Sequence, residues 1–184
     1  MHFHIIRHGQ TSANALGQLS SMHGEVLNQT GVQQSRRLAD HLASLDITDV
    51  WSSPLPRAIA TIQPYCDRVS IRPTLLPELT EGQFNLDAKA GLSRYEAIDD
   101  SIPSEDEALE AFRGRVAYFI ERVKRGAGAG RVVVVTHGHF IREFLNLLLD
   151  AQQYVRWPID NCGETLIEVS SDVFVHHVNR RVLL

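Results

Sequence analysis

Two segments of this chain share one design, in which an apolar run ends in a histidine and a glycine. The first is Ile5-Ile6-Arg7-His8-Gly9 and the second is Val134-Val135-Thr136-His137-Gly138. A neutral imidazole carries a free lone pair on one nitrogen, so it can attack an electrophile such as phosphorus. Arg7 directly precedes His8, and a guanidinium binds phosphate oxygens through paired, charge-assisted hydrogen bonds. These residue types predict the transfer of a phosphoryl group.

Two further residues complete that chemistry. Arg57 lies just after Ser52-Ser53-Pro54 and would be a second guanidinium for the equatorial oxygens of the phosphoryl group. Glu78 follows Leu76-Pro77 and can give a proton to the leaving alkoxide. The same carboxyl group can then take a proton from the water that cleaves a phosphohistidine. The set predicts an enzyme that needs no metal ion and no cofactor.

The elements that position these residues begin with strands, seen as short apolar or alternating runs. Val132 to Val135 is a continuous apolar run, which is typical of a central parallel strand covered on both faces. In an open α/β sheet, ligands bind beyond the carboxyl ends of the strands, so His8 and His137 would meet if their strands were neighbours. The predicted strands are 2–7, 49–52, 69–76 and 132–135, with a hairpin formed by 164–170 and 173–178.

Apolar residues at helical spacing predict helices between these strands. Their starts are indicated by Thr30 with Gln33, by Ser53 before Pro54, and by Ser104 with Glu107. The predicted helices cover 31–45, a segment from Ser53 onward, a segment from Ser104 to about Arg125, and a segment after Gly138. This alternation predicts an α/β fold, a three-layer sandwich with a mostly parallel central sheet and helices on both faces. We expect a single domain over 1–184 with a short cap around 79–103.

Composition limits the partners of this chain. Its 184 residues carry a formal net charge of -4, so no overall positive field attracts nucleic acid or an anionic membrane. A basic pocket in an acidic protein favours a small phosphorylated molecule as the substrate. Only two cysteines, no signal peptide and no apolar run long enough for a membrane helix predict a soluble, cytoplasmic protein. The oligomeric state is not predicted.

These motifs together resemble the histidine phosphatase superfamily, the phosphoglycerate mutase-like proteins. One of them alone would be weak, but five in the order of the family make a specific match over residues 3–82 and 131–142. The matching segments are Arg7-His8-Gly9-Gln10-Thr11, Leu27 to Gln34, Ser52 to Thr61, Leu76-Pro77-Glu78 with Gly82, and Thr136-His137-Gly138 with Ile141-Arg142.

The resemblance implies a phosphoglycerate mutase-like fold and a role for each matching residue. His8 would be the phosphorylated nucleophile, and Glu78 would be the proton donor. His137 would act beside them in catalysis and in binding the phosphoryl group. The other residues that would bind or support the phosphate are Arg7, Arg57, Asn14 and Ser20.

The chain departs from the family pattern at three places after Glu78. The frequent Trp-Glu-Gly of the family is replaced by Phe84-Asn85-Leu86. Glu81 lies near Glu78 in the chain and contends for the role of the acid. His139 occupies a position where a small residue is usual, so it would narrow the pocket or add a ligand to it.

The leading hypothesis is a phosphatase that hydrolyses phosphate monoesters through a phosphohistidine on His8. The alternatives are a phosphoglycerate mutase-type phosphotransferase, a protein phosphohistidine phosphatase, and a phosphate-sensing protein without turnover. A metal site is not expected, because Arg7 is a cation beside His8. We interpret His2 and His4 as surface or terminal residues, and His176-His177 as a solvated edge.

Overall fold

A computed structural model describes residues 1–18, 25–82, 109–126 and 129–181. Six strands form one sheet in the order β3-β2-β4-β1-β5-β6. In this order the first four strands are parallel, β5 runs antiparallel to its neighbour β1, and β6 runs antiparallel to β5. The strands are β1 (His2–Arg7), β2 (Asp49–Ser52), β3 (Thr74–Leu75), β4 (Arg131–Thr136), β5 (Gly163–Val169) and β6 (Val173–Arg181).

Helices cover both faces of this sheet, which confirms the predicted α/β sandwich. α2 and α3 lie on one face, where Ile6 and Val133 pack against Leu38 and Ile62. α4 and α5 lie on the other face. The helices are α1 (Ser12–Ala15), α2 (Gln29–Leu42), α3 (Pro56–Val69), α4 (Leu109–Arg125) and α5 (Gly138–Leu148), with a 3-10 turn at Pro77–Leu79.

The four valines 132–135 of β4 show why this strand is central. Their side chains alternate between the two faces, and each face is closed by a helical layer. All four are buried, as the continuous apolar run predicts.

The starts of two helices differ from the predictions. The side chain of Asn28 caps α2 by accepting a hydrogen bond from the Gly31 N–H at 2.9 Å, so Thr30 lies inside the helix. α3 begins at Pro56 rather than Pro54, since Leu55 is its extended N-cap residue. Ser53 therefore does not cap α3, and its hydroxyl serves the site described below.

The strand predicted at 69–76 is wrong for most of its length. α3 continues through Pro64 to Val69, and only Thr74–Leu75 pairs as β3. Ser70 ends α3 in a left-handed backbone conformation (φ 55°), so the chain leaves the helix there and the segment 70–73 does not pair as a strand.

Other predictions fall on residues outside the described ranges. These are the start of the helix at Ser104 with Glu107, and the part of the cap from 83 to 103. From Leu109 onward, α4 has the predicted apolar face, with Phe112, Val116 and Phe119 buried. Among the described residues, no helix is long and apolar enough to cross a membrane.

Candidate active site

The pairing of β1 with β4 brings the two histidine-glycine segments together. Arg7 lies opposite Thr136 in the parallel register, and the His8 N–H donates to the Thr136 carbonyl at 2.9 Å. The next residues, His8 and His137, therefore leave the sheet side by side. Their ring centroids are 5.1 Å apart, and both side chains are buried.

The surroundings of His8 select its neutral form and one tautomer. Nδ1 lies 2.8 Å from the Gly9 carbonyl oxygen, an acceptor only, so Nδ1 carries the hydrogen. Nε2 accepts a hydrogen bond from Arg57 Nε at 3.3 Å. Burial lowers the pKa of His8 to about 3, and the charges of Arg57 and Arg7 act in the same direction. His8 thus presents a lone pair on Nε2 within a cationic pocket.

Arg57 is held in the pocket by the start of α3. It is the second residue of that helix, and its side chain is fully buried. The Thr61 hydroxyl donates to the Arg57 carbonyl at 2.7 Å and accepts from the Gly9 N–H at 2.8 Å, which ties α3 to the loop after β1. Burial lowers the pKa of Arg57, while the negative charges of Glu81 and Glu25 oppose that shift.

Arg7 approaches the same pocket from the end of β1. Its Nη1 donates to the Ile159 carbonyl at 2.7 Å, which fixes the guanidinium. Its Nε is buried and has no hydrogen-bond partner among the described residues, so it can donate to an anion. A Cβ on Gly138 would lie 3.4 Å from this Nε, and glycine leaves that space to the guanidinium. Burial lowers the pKa of Arg7, and the charge of Glu81 opposes the change.

His137 is oriented by Ser53. Its Nε2 lies 2.8 Å from the Ser53 hydroxyl, which itself accepts from the Leu55 N–H at 3.3 Å. When the hydroxyl donates to Nε2, Nδ1 carries the hydrogen, and Nδ1 has no partner among the described residues. Burial lowers the pKa of His137 well below its ordinary value, and the charges of Arg57 and Arg7 act in the same direction. A neutral donor therefore stands beside His8.

Asn14 supports this pocket through a residue that motif analysis missed. Asn161 donates to the Asn14 carboxamide oxygen at 3.0 Å and to the His8 carbonyl at 2.9 Å. Its place in the loop before β5, with no motif around it, gave no sequence signal. Ser20 lies outside the described residues.

The structure separates the two carboxylates that the sequence left in competition. Glu78 lies in the 3-10 turn, and its Oε1 is 3.2 Å from Arg122 Nη2 on α4. Glu81 instead accepts the backbone N–H groups of His139 and Phe140, at 3.4 and 3.2 Å, in the first turn of α5. It is thus Glu81 that lies at the start of α5, the helix whose N-cap residue is His137.

Glu25 is a second carboxylate near Arg57 that the sequence analysis did not single out. Its Oε2 is buried without a hydrogen-bond partner in the described part of the chain. Its charge favours the protonated form of Arg57. Two carboxylates, Glu81 and Glu25, therefore balance the guanidinium groups of the pocket.

This arrangement can bind an anion and attack it. Guanidinium groups and a neutral imidazole surround a second imidazole, His8, whose Nε2 lone pair accepts from Arg57 and would turn to phosphorus once an anion takes over that N–H. Among the described histidines, cysteines and carboxylates, one group of three has the spacing of metal ligands. It consists of His2, Glu168 and His176, and it does not include His8 or His137.

Comparison with known proteins supports this interpretation. The sequence profile of the histidine phosphatase superfamily (branch 1) matches residues 3–180. The adenosylcobalamin/alpha-ribazole phosphatase of Salmonella typhimurium is 26% identical over 149 residues, which cover 74% of each chain. The 2,3-bisphosphoglycerate-dependent phosphoglycerate mutase of Thermoplasma acidophilum is 36% identical over 175 residues, covering 90% of this chain and 86% of that one.

A solved structure agrees in fold. The alpha-ribazole phosphatase of Shigella flexneri superposes with a TM-score of 0.82 at 24% identity, over 98% of this chain and 97% of that one. At this identity, the likeness establishes the fold alone.

Proposed function

The chain belongs to the histidine phosphatase superfamily, and we propose that it hydrolyses phosphate monoesters through a phosphohistidine on His8. One observation carries this proposal. His8 Nε2 keeps its lone pair, because Nδ1 is committed to the Gly9 carbonyl and Arg57 and Arg7 oppose protonation. A buried imidazole with that tautomer among guanidinium groups is a nucleophile for a bound anion.

In the first step, Nε2 attacks phosphorus and forms the P–N bond while the P–O bond to the alcohol breaks. The electron pair of that bond leaves on the alkoxide, which takes a proton from a carboxyl group. In the second step, water gives a proton to the same carboxylate and attacks phosphorus. The P–N bond then breaks, its electron pair returns to Nε2, and inorganic phosphate is released.

Charge stabilisation in both steps comes from the chain itself. Arg7 Nε and His137 Nδ1 are buried N–H positions without partners in the described part of the chain, and Arg57 Nε faces the nucleophile. Together they would bind the equatorial oxygens, which carry the developing negative charge. We therefore propose a reaction that uses no metal ion.

The proton carrier is the part of the mechanism where geometry and motif disagree. The family motif points to Glu78, but its carboxylate is paired with Arg122. Glu81 lies at the start of α5, and its charge acts on both Arg7 and Arg57. We assign proton transfer to Glu81 because a proton carrier must lie near the bound phosphoryl group, and its charge acts on both guanidinium groups that would bind that group.

The proposed substrates are small phosphorylated molecules. His8, Arg57 and His137 are buried, and the loop that carries His8 is tied to α3 by Gly9 N–H to Thr61 and to α2 by Gln10 N–H to Gln34. A small ester can place its phosphate at such depth. A phosphorylated side chain on a folded protein is held back by the surface of that protein.

A mutase is the second candidate, because the Thermoplasma mutase is 36% identical to this chain. A mutase must exclude water and hand the phosphoryl group to a second hydroxyl. Only residues 79–136 lie between Glu78 and His137, which limits the size of a closing lid. We therefore favour hydrolysis.

The test is to trap the intermediate and follow the product. Incubation with a ³²P-labelled ester and rapid denaturation at alkaline pH should yield a labelled, acid-labile chain, and His8→Ala should yield none. Steady release of phosphate supports the phosphatase, and an isomerised ester without phosphate release supports the mutase. Label retained in His8→Ala would refute the proposed nucleophile.

A further inference from the structure

A second cluster of titratable side chains lies on the sheet face opposite α4 and α5, at the antiparallel edge. Five histidines and two glutamates of β1, β5, β6 and α2 meet there in two groups. One group surrounds Glu164, and the other surrounds Glu168. The histidines are His2, His4, His41, His176 and His177.

A β-bulge in β6 builds this face. Leu166 of β5 pairs with His177, but the next residue, Ile167, pairs with Val175. His176 is therefore the extra residue of the bulge, and such a residue allows two consecutive side chains to point to one face. His177 reaches Glu164 at 3.1 Å, and His176 reaches Glu168 at 2.9 Å. In a regular strand these two histidines would lie on opposite faces.

The group around Glu168 has the spacing of metal ligands. Glu168 Oε2 lies 3.5 Å from His2 Nε2 and 2.9 Å from His176 Nε2, and the three ligand atoms are all within 4.8 Å of one another. Zinc binds imidazole nitrogen and carboxylate oxygen at about 2.0–2.2 Å. In tetrahedral geometry two such ligand atoms are then about 3.3 Å apart. This value lies between the two observed distances, 2.9 and 3.5 Å.

We propose that His2, Glu168 and His176 form a binding site for a zinc-class divalent cation. Two imidazoles and one carboxylate are ligands for zinc, cobalt or nickel rather than for calcium or magnesium, which prefer oxygen. The side chains are only about one-third exposed for His2 and Glu168, so water can complete the coordination. The described part of the chain holds no other group of three such ligands within that spacing.

The neighbouring group around Glu164 shows a carboxylate on the same face whose partners all come from the chain. Glu164 is fully buried, and its carboxylate meets His4 Nδ1 at 2.7 Å and the guanidinium of Arg180. The positive charge that this carboxylate requires is thus supplied by the chain. At Glu168 the partners are two imidazoles, which can be neutral and can then bind a metal ion.

Two cationic groups of the chain also face this site. Arg131 lies opposite His2 in the parallel register, and both Arg131 and the N-terminal ammonium group act electrostatically on His2. The ammonium group is engaged with the Val169 carbonyl at 2.8 Å. These charges weaken the binding of a dication without blocking the ligand atoms, so we expect moderate affinity.

The role of such an ion would be structural. His2 begins β1 and His8 follows its end, so the two sites are about 20 Å apart at the rise of a strand. An ion held by residues of β1, β5 and β6 would tie the antiparallel edge to the centre of the sheet. Binding to the folded chain alone would stabilise it by mass action.

Calorimetric titration of the untagged chain with zinc chloride tests this proposal. We expect one ion per chain and a higher midpoint of thermal unfolding when zinc is present. His176→Gln and Glu168→Gln should each weaken binding by more than about tenfold, since each removes a ligand. Two variants, rather than one, guard against misfolding, and circular dichroism without metal checks both.

The matched control is His177→Gln, a change of the adjacent histidine that faces Glu164 instead. This variant should bind zinc as the unaltered chain does, and so should His8→Ala. Equal loss in His177→Gln would place the ion at Glu164, and loss in His8→Ala would place it in the phosphate pocket. Either result, or the absence of saturable binding, would overturn the proposal.

Discussion

At the end of β1 the charged neighbours of His8 include the guanidinium groups of Arg57 and Arg7, whereas at the start of the same strand His2 and His4 meet carboxylates. In the pocket, guanidinium groups and burial lower the pKa of the imidazole, and one nitrogen keeps its lone pair. At the other end, Glu164 gathers three histidines and Arg180. The same residue type therefore lies among guanidinium groups at one end of the strand and against carboxylates at the other.

The comparison also shows how each region satisfies its buried charge. Burial alone would raise the pKa of Glu164, but the hydrogen bond from His4 and the charges of His4 and Arg180 outweigh it and lower the pKa. In the pocket around His8, the buried Arg7 Nε and His137 Nδ1 have no hydrogen-bond partner in the described part of the chain. A region that is internally neutralised stabilises the fold, and one with donors to spare binds a ligand.

The largest expected effect separates the two ends of β1. His8→Ala should lower kcat/KM for a phosphate ester by at least about 1,000-fold, because no other nucleophile replaces Nε2. The matched variant His4→Ala should retain most of the activity and lose stability instead. Steady-state kinetics and urea unfolding of both variants measure this. Equal loss of activity in the two variants would abolish the distinction.

The next effect concerns the stability that the group around Glu164 gives to the fold. Glu164→Gln should lower the free energy of unfolding by about 3 kcal/mol, because Arg180 and the surrounding histidines lose their buried counter-ion. Activity per folded molecule should change little. Glu168→Gln, measured without metal ions, is the control on the same face and should cost much less, since Glu168 is partly exposed. Similar losses of stability in the two variants would contradict a special role for the buried carboxylate of Glu164.

Kinetics can distinguish Glu81 from Glu78, the two candidates for the proton carrier. Glu81→Gln should lower kcat by about 100-fold, the usual contribution of a positioned proton carrier. It should also flatten the pH dependence of kcat, because the titrating group is gone. Glu78→Gln should change stability more than kcat, since its partner is Arg122. The reverse result would return the role of the acid to the motif position.

The smallest effect, taken per pH unit, is on the pH dependence of stability. The pKa of His8 is about 3 in the folded chain against an ordinary 6.5, so between these values the unfolded chain binds the extra proton. The free energy of unfolding should fall as the pH drops from 6.5 toward 3, by at most about 1.4 kcal/mol per pH unit for this group. Urea unfolding at pH 7.5, 6.5, 5.5 and 4.5 measures the slope.

His8→Ala should flatten that slope in the same pH range. The pKa of Glu164 is lowered instead, so its contribution is present above its ordinary 4.5 and is lost only below that pH. A steeper slope in His8→Ala would show that His8 is protonated in the folded chain.

The sequence was sufficient for those features that depend on local pattern. The apolar runs before His8 and His137 required two buried strands, and a parallel sheet places their carboxyl ends at one edge. The same rule located Arg57 near the site at the start of α3. These predictions succeeded because strand burial leaves a repeated trace in the residue types.

Other features depend on contacts between distant segments and leave no such trace. Glu78 and Glu81 are three residues apart, and only the 3-10 turn and α5 decide which carboxylate turns toward the pocket. His4 was interpreted as a surface or terminal residue, yet it is buried against Glu164, 160 residues later in the chain. Strict alternation would also have separated His176 from His177, which the bulge places on one face.

The register of β1 against β4 has a consequence for any change of specificity. The two imidazoles directly follow one pair of residues on neighbouring strands, Arg7 and Thr136, and such strands are about 4.8 Å apart. Their separation therefore depends on the main-chain hydrogen bonds of the sheet more than on the surrounding side chains. A change of substrate is therefore best sought by substitutions around Glu25 and Glu81, with the strand ends that carry His8 and His137 left unaltered.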